Sequence, residues 1–290
     1  SANTAQRDIA HHLGVALDEV KTIVFGLNHL SWTRAALVAG RDRLPELLAD
    51  DQFIQNTQLR FFGPNVVRRV GMFLNEYLYY FHFRDLALQR IQDEELTRGE
   101  EILLLNEQLF KDMNNLTPAQ GLELHARYNT RRNASYMGYA EPDEALREQR
   151  LHPTDDSIVP AQAEVGGYAG VALRAALALS QDRPLRIGLN VPNDGAINGM
   201  RADDIVEVTC DVDGSGIHPI QIGDIPEDAY LMMRLVKRYE RLAARAILEH
   251  DRELAVDALV AHPLVGSYHI AQALVSEYLN AHAQHVGVWS

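Results

Sequence analysis

Residues Phe25 to Trp32 read FGLNHLSW, and this stretch indicates how the chain folds and where its chemistry lies. The β-branched and aromatic segment Lys21–Leu27 predicts a strand that runs directly into an asparagine and a histidine. A neutral imidazole is a good ligand for a divalent metal, and the amide of Asn28 can hold a hydroxyl or amide group of a ligand. A core histidine bonded to a backbone carbonyl is the alternative role for His29.

The composition is that of an acidic globular protein. The 290 residues are 47% hydrophobic and 23% charged, and 40 acidic against 27 basic side chains give a net charge of −13. Binding to nucleic acid or to an anionic membrane needs clustered Lys and Arg, so neither partner is expected. The single cysteine, Cys210, excludes an internal disulfide and fits a cytoplasmic origin. The chain begins at Ser1 without a methionine, and we expect further sequence upstream.

Periodicity predicts a helix-rich α+β fold in a single domain. Apolar residues at spacings of three and four predict one helix from Val66 through Phe83, and a capping box with proline at Thr117 begins another. The segment Glu141–Pro160 holds three prolines and few apolar residues, which predicts an exposed loop. Apolar and polar residues alternate over Ile205–Val212, which predicts a strand with one solvated face. The tail is helical, beginning with Glu227–Glu249.

Tyr168 is the second candidate for chemistry. It follows Gly166 and Gly167 at the start of an alanine-rich helix, where small neighbours permit close approach of a ligand. The positive end of that helix can lower the pKa of a tyrosine towards use as a base. The alternative is an ordinary half-buried aromatic residue at a helix start.

Two further groups are explained as well by structure as by function. Asn193 belongs to the polar turn around Pro192, where turn geometry alone favours asparagine. The aromatic run Tyr77–Phe83 (YLYYFHF) is more typical of core or of an oligomer contact than of base stacking. The sequence contains no GxGxxG, GxxxxGK[ST], GxSxG or HExxH motif, so a phosphate-cradling loop for a nucleotide must lie outside it.

Taken together, these segments resemble the NAD- and metal-dependent family 4 glycoside hydrolases, particularly the 6-phospho-β-glucosidase branch. The resemblance spans nearly the whole chain in order: QRDIA, GLNHLSW, RGEEILLLNEQLF, GGYAGVAL, NVPNDGAINGM, IVEVTCDVDGSGIHPIQIG, VKRYERLAARAIL and DALVAHPLV. It implies a fold like the C-terminal domain of lactate and malate dehydrogenases, preceded in the complete enzyme by a dinucleotide-binding domain that this chain lacks.

The resemblance also implies a mechanism that differs from two-carboxylate glycosidases. NAD oxidises the sugar at C3, a base removes the C2 proton, and the aglycone is eliminated from C1. His29 matches the family's metal histidine, with Mn²⁺ as the expected metal, and Tyr168 matches the tyrosine proposed as the C2 base. Asn28, His29 and Asn193 are expected to contact substrate, a phosphorylated disaccharide or aryl glucoside. Family members assemble as homodimers or homotetramers, and the same is expected here.

Departures from the family pattern bear on activity and substrate. The metal-binding cysteine, which the family places just before the QRDIA helix, is missing, and Cys210 lies in a strand and cannot replace it. The fragment alone is therefore expected to be inactive. Pro192 stands where several relatives carry an arginine, the natural ligand of a phosphate. Alternatives are the same machinery on an unphosphorylated glycoside or uronide, a lactate/malate dehydrogenase-like oxidoreductase, and an oligomerisation module.

Overall fold

Two antiparallel sheets and a surrounding set of helices make up the chain, which confirms the predicted helix-rich α+β class. The computed structural model describes residues 2–152, 167–181 and 183–290. The strands are β1 (Val20–Leu27), β2 (Leu30–Val38), β3 (Arg41–Asp42), β4 (Phe73–Leu74), β5 (Leu185–Pro192), β6 (Ile205–Asp213) and β7 (Gly216–Pro219). The helices are α1 (Ala2–Leu13), α2 (Leu44–Ala49), α3 (Asp51–Asn56), α4 (Pro64–Val70), α5 (Leu78–His82), α6 (Arg84–Gln92), α7 (Arg98–Asp112), α8 (Pro118–Ala134), α9 (Glu144–Leu151), α10 (Gly167–Gln181), α11 (Glu227–Glu249), α12 (Arg252–Ala261), α13 (Tyr268–Ala281) and α14 (Ala283–Val286).

The hairpin of β1 and β2 lies at the centre of the fold. The two strands pair from Val20–Val38 to Leu27–Leu30, so only Asn28 and His29 connect them. β3 and β4 both pair with β2, and β5, β6 and β7 form the second sheet in that order. The strand predicted over Lys21–Leu27 is therefore confirmed.

A β-bulge in the hairpin joins the two sheets. The pairing changes from Ile23–Ala35 to Val24–Thr33, which leaves Arg34 as the extra residue of β2. At this bulge the backbone N–H of Val24 donates to the hydroxyl of Thr209 on β6 (2.8 Å), and that hydroxyl donates to the Thr22 carbonyl (3.0 Å). One fully buried side chain thus satisfies two backbone groups of the neighbouring sheet.

The prediction of a solvated face on β6 is wrong for this reason. Glu207 and Thr209 alternate with the apolar residues as expected, yet they are 4% and 0% exposed. β1 packs against this strand and covers its polar face. The alternation of polar and apolar residues in β6 therefore marks a polar contact between two sheets. A strand with one solvated face would show the same alternation.

The single helix predicted from Val66 through Phe83 is also wrong. α4 ends at Val70 because Gly71 takes the left-handed conformation (φ 67°) that ends many helices. The two residues of β4 then pair with Trp32 and Thr33 of β2, and the chain becomes helical again only in α5. A change to strand conformation therefore interrupts a run whose apolar spacing stays helical throughout.

The remaining predictions concern a helix cap, a long helix and a loop. The capping box at Thr117, where its side chain and that of Gln120 satisfy each other's backbone N–H, is confirmed at the start of α8. Glu227–Glu249 is helical as expected. The proposed loop Glu141–Pro160 is partly wrong, since α9 lies within it, and residues 153–160 fall outside the described residues. Within the described part of the chain, no helix is long and apolar enough to cross a membrane.

Replacing Thr209 by valine tests the link between the sheets. The T209V variant keeps the shape but leaves the Val24 N–H and the Thr22 carbonyl buried without a partner, so we expect a loss of about 3 kcal/mol in unfolding free energy. T209S keeps the hydroxyl and should lose only about 1 kcal/mol from the missing methyl group. Urea denaturation measures both; equal losses in the two variants would contradict this role of the hydroxyl.

Gly26, in β1, is a position at which the fold admits no side chain. Its φ is +149°, and a Cβ would lie 2.3 Å from the Leu30 carbonyl oxygen and 2.5 Å from the Ser31 Cα. Because both obstacles are backbone atoms of the same hairpin, G26A should destabilise the protein by about 3 kcal/mol or more. Gly40 also has a positive φ but open space around it, so G40A should cost only about 1 kcal/mol. Similar urea midpoints for the two variants would refute the crowding argument.

Candidate functional site

The turn between β1 and β2 presents Asn28 and His29 at the end of the central hairpin. Asn28 is exposed, and His29 is half-buried with φ 63°, a left-handed conformation that few residues other than glycine adopt. Backbone strain of this kind is found often at functional sites. The structure therefore places the two residues singled out from the sequence side by side, at an accessible edge of the fold.

The imidazole of His29 has an unused nitrogen. Its Nδ1 is buried, and among the described residues no donor or acceptor reaches it. Burial lowers the pKa of His29, while the nearby Glu76 opposes this shift in part, so the ring favours its neutral form. Buried polar atoms are nearly always hydrogen-bonded, which makes an unpartnered one unusual. A neutral imidazole with an unoccupied nitrogen fits a metal ligand.

Strand β4 brings a second group of polar residues to the turn. The N–H of Asn75 donates to the Ser31 carbonyl (3.0 Å), and the Asn75 side-chain oxygen accepts from the N–H of Tyr77 (3.0 Å). The side-chain nitrogen of Asn75 is buried and finds no partner in the described part of the chain. These bonds hold the Tyr77 ring against His29, with ring centroids 4.7 Å apart.

Tyr77 is the tyrosine that the sequence interpretation missed. The sequence predicts that the run Tyr77–Phe83 lies in the core or in an oligomer contact, and Tyr79 does lie in the core at 2% exposure. Tyr77 is half-buried instead and contacts the candidate metal ligand. An asparagine followed two residues later by a tyrosine is the available local signal, since the asparagine side chain caps the tyrosine N–H.

Two more groups complete the polar surroundings of Tyr77. The hydroxyl of Tyr136 donates to a carboxylate oxygen of Glu76 (2.9 Å), and its ring lies 6.1 Å from that of Tyr77. Burial, with the hydrogen bond to Tyr77 and the charge of Glu76, raises the pKa of Tyr136, so this phenol stays protonated. Burial also raises the pKa of Asp8 on α1, whose charge is close enough to Glu76 to interact. Acidic groups thus gather beside His29.

A cavity of about 330 Å³ lies at the base of α7 and α8. Arg98, Arg131 and Tyr139 line it together with three glutamates, Glu94, Glu95 and Glu101. The Arg98 backbone N–H donates to the Tyr139 hydroxyl (2.8 Å) and its Nη2 donates to the Arg132 carbonyl (3.1 Å). Its Nη1 is buried, with no partner among the described residues. Arg98 also lowers the pKa of Tyr80, although burial dominates and raises that pKa to about 12.

The structure treats the two remaining predicted site residues differently. Tyr168 is the second residue of α10, but its side chain lies outside the described residues, so its role as a base stays a prediction. Asn193 is 1% exposed, and its amide donates to the Ile197 and Met200 carbonyls while its oxygen accepts from the Ile197 N–H. These bonds give Asn193 a structural role in the turn; its contact with substrate also stays a prediction.

One histidine does not make a metal site by itself. No group of three or more His, Cys, Asp or Glu side chains suited to a metal occurs in residues 2–152, 167–181 and 183–290. Cys210 is buried in β6, where burial raises the pKa of its thiol to about 11, and this agrees with the prediction that it does not replace a metal cysteine. His29 therefore fits one ligand of a metal, and the described residues contain no cluster that would complete such a site.

Comparison with known sequences identifies related proteins. Residues 24–265 match the family 4 glycosyl hydrolase C-terminal domain. The chain is 25% identical over 283 residues to the 6-phospho-beta-glucosidase of Thermotoga maritima, covering 97% of this chain and 59% of that protein. It is 24% identical to a probable 6-phospho-beta-glucosidase of Bacillus subtilis, covering 94% and 56%. The chain thus spans less than two thirds of the length of these relatives.

Solved structures have the same fold. The chain superposes on the Thermotoga maritima 6-phospho-beta-glucosidase, solved with NAD and glucose-6-phosphate, with a TM-score of 0.70 and 25% identity, covering 98% of this chain and 59% of that one. A 6-phospho-alpha-glucosidase from gut microorganisms, solved with NAD and Mn²⁺, gives a TM-score of 0.71 at 18% identity, covering 99% and 61%. Because residues 24–265 of the chain match the family model, the chain belongs to glycoside hydrolase family 4 and is a C-terminal domain of that family.

Proposed function

We propose that this chain is the substrate and metal portion of a 6-phospho-β-glucosidase that cleaves by oxidation and elimination. The observation that carries the proposal is the unpartnered, buried Nδ1 of His29 in contact with the Tyr77 ring. The Thermotoga maritima relative is a 6-phospho-beta-glucosidase, and this supports a phosphorylated β-glucoside as the substrate class. The working enzyme would include an upstream NAD-binding domain, since the chain has no phosphate-cradling loop of its own.

His29 would hold a divalent cation, Mn²⁺ by analogy with the relatives, and exposed Asn28 would hydrogen-bond the sugar beside it. When bound, NAD would take up hydride from C3 and the metal would polarise the C2 and C3 oxygens. The chain's own part is then to hold the ring, to accept the C2 proton and to limit access of water. Tyr136, kept protonated by its surroundings, would hold Glu76 in place through its hydrogen bond.

Two tyrosines are candidates for accepting the C2 proton. The family resemblance points to Tyr168 at the start of α10. Contact with His29 favours Tyr77, because the base must reach the C2 proton of a sugar that is held beside His29. A nearby cation would lower the pKa of either phenol. We therefore propose Tyr77 as a second candidate and test it against Tyr168.

The phosphate of the substrate would bind in the cavity at the base of α7 and α8. Arg98 has a buried Nη1 directed to no protein atom that the structure describes, and Arg131 adds a second guanidinium to the same cavity. Guanidinium groups bind phosphate oxygens through paired, charged hydrogen bonds. Such a site would offset the absence of an arginine at Pro192. An unphosphorylated glycoside remains the alternative substrate.

We also propose that the complete enzyme is cytoplasmic and forms a homo-oligomer.

Deuterium incorporation distinguishes the two tyrosines. The longer protein, with NAD and Mn²⁺ in heavy water, should release a sugar from an aryl 6-phospho-β-glucoside with one carbon-bound deuterium at C2. The base variant should lose exchange at C2 by about 10²-fold or more while its affinity for NAD is unchanged. We expect this of Y77F or of Y168F. Cleavage without deuterium would rule out elimination, and normal exchange in both variants would remove both residues from the role.

Substrate preference tests the phosphate site separately. R98M should raise the KM for the phosphorylated aryl glucoside about 10- to 100-fold, the effect of losing a charged hydrogen bond, with little change in kcat. Arg245 is exposed on α11, and R245M serves as the control that should leave KM unchanged. An unchanged KM in R98M, or equal activity of the wild type on glucosides with and without phosphate, would contradict the assignment.

A further inference from the structure

A second cavity, of about 400 Å³, lies between helix α13 and residues 287–290. The described residues that line it are Arg252, Ser276, Leu279, Asn280, Gly287 and Trp289. None of them belongs to the candidate site at His29 or to the cavity that contains Arg98. None is acidic, although the chain as a whole has a net charge of −13, and Arg252 is the only charged side chain among them. This lining favours an anionic ligand.

The guanidinium of Arg252 is held in place and still has donors available. Its Nη2 donates to the hydroxyl of Ser276 (2.6 Å), and that hydroxyl donates to the Gln272 carbonyl (2.7 Å). In the described part of the chain this is the only hydrogen bond of the guanidinium, and no carboxylate pairs with it. An arginine that is fixed through one nitrogen keeps further N–H groups for the oxygens of a carboxylate or a phosphate.

Asn280 adds an uncharged polar group to the same cavity. It lies four residues after Ser276 on α13, so the two side chains are neighbours on one face of the helix. Asn280 is exposed, and its carboxamide makes no hydrogen bond with the residues that the structure describes. A carboxamide both donates and accepts hydrogen bonds, as the hydroxyl groups of a sugar do.

Trp289 gives the cavity an aromatic surface that is fixed from behind. Its indole N–H donates to the Val286 carbonyl (3.0 Å), and its ring lies 5.6 Å from that of His250. Ser290 attaches this segment to the turn between α11 and α12. Its N–H donates to the His250 carbonyl (3.0 Å), and its own carbonyl accepts from the Arg252 N–H (3.0 Å). Because the indole N–H is already used, Trp289 offers the cavity apolar ring atoms.

We propose that this cavity binds a hexose that carries an anionic group, either a phosphate or a carboxylate. The guanidinium of Arg252 would bind the anion, and the carboxamide of Asn280 would bind ring hydroxyls. The apolar C–H face of the sugar ring would pack against Trp289. A volume of about 400 Å³ lies in the range of small-molecule sites, which combine apolar surface with a few polar groups.

Helix α12 separates this cavity from the aromatic run of the candidate site. Arg252 is the first residue of α12, and His262 follows its last residue. The ring of His262 lies 6.2 Å from that of Phe81, which belongs to the run Tyr77–Phe83. The 10 residues of α12 span about 15 Å, so the cavity and Phe81 lie at opposite ends of one helix. The cavity would therefore be a second sugar site.

Tryptophan fluorescence of the 290-residue chain tests the proposal. Of the two tryptophans, Trp32 is 3% exposed and Trp289 is half-buried, so a ligand in this cavity should change the emission of Trp289. Glucose 6-phosphate and glucuronate supply the two anions, and we expect a Kd of about 0.1–1 mM for one or both. The tighter of the two identifies the anion. Glucose and inorganic phosphate, which each lack one part of the ligand, should bind at least about tenfold more weakly.

Variants connect the signal to the cavity. R252M should raise the Kd about 10- to 100-fold through the loss of a charged hydrogen bond, and N280A should raise it about 3- to 10-fold. W289F should remove the fluorescence change with an unchanged circular dichroism spectrum. R98M and R245M alter arginines elsewhere and should leave the Kd unchanged, so a failure of the proposed phosphate site at Arg98 does not affect this test.

Several results would overturn the proposal. They are an emission that neither anionic sugar changes, a Kd that R252M leaves unaltered, and a fluorescence change that persists in W289F. Glucose or inorganic phosphate that binds as tightly as the anionic sugars would overturn it as well. A signal lost in R98M would do the same, because the ligand would then lie in the cavity at the base of α7 and α8.

Discussion

The site depends on a two-residue strand. β4 pairs with β2 at Trp32 and Thr33, close to the turn that holds His29. This short pairing, extended by the bond from the Asn75 N–H to the Ser31 carbonyl, fixes where the next residues lie. Tyr77 then meets the His29 ring, and the Tyr136 phenol can reach the neighbouring carboxylate. Few backbone hydrogen bonds hold this arrangement, so it relies on the buried aromatic core beneath it.

How much the sequence could predict follows from the range of each interaction. The capping box at Thr117 and the strand at Lys21–Leu27 depend on adjacent residues, and both predictions are confirmed. β4 does not depend on its local sequence, because its two residues become a strand only through pairing with β2, some 40 positions earlier. The polar face of β6 has the same explanation: Thr209 is buried because a bulge in another sheet needs its hydroxyl.

The candidate site divides in the same way. His29 could be named from its residue type and its place at the end of a strand. Tyr77 is marked in the sequence only by the asparagine two positions before it. Five of the seven residues in its run are Tyr or Phe, and only the fold selects the one that faces the histidine. Arg98 lies within a charged stretch in which one arginine resembles another. Its unpartnered nitrogen is a property of the cavity and not of the pattern.

Burial acts against charge on two groups at the site. It raises the pKa of Asp8 and lowers the pKa of His29, so it disfavours the charged form of each. Glu76 acts in the same direction as burial on Asp8 and in the opposite direction on His29. Protonation of the imidazole is therefore favoured by Glu76 but opposed by burial. A divalent cation would bring positive charge to Glu76 while the ring stays neutral, which is the form that coordinates a metal.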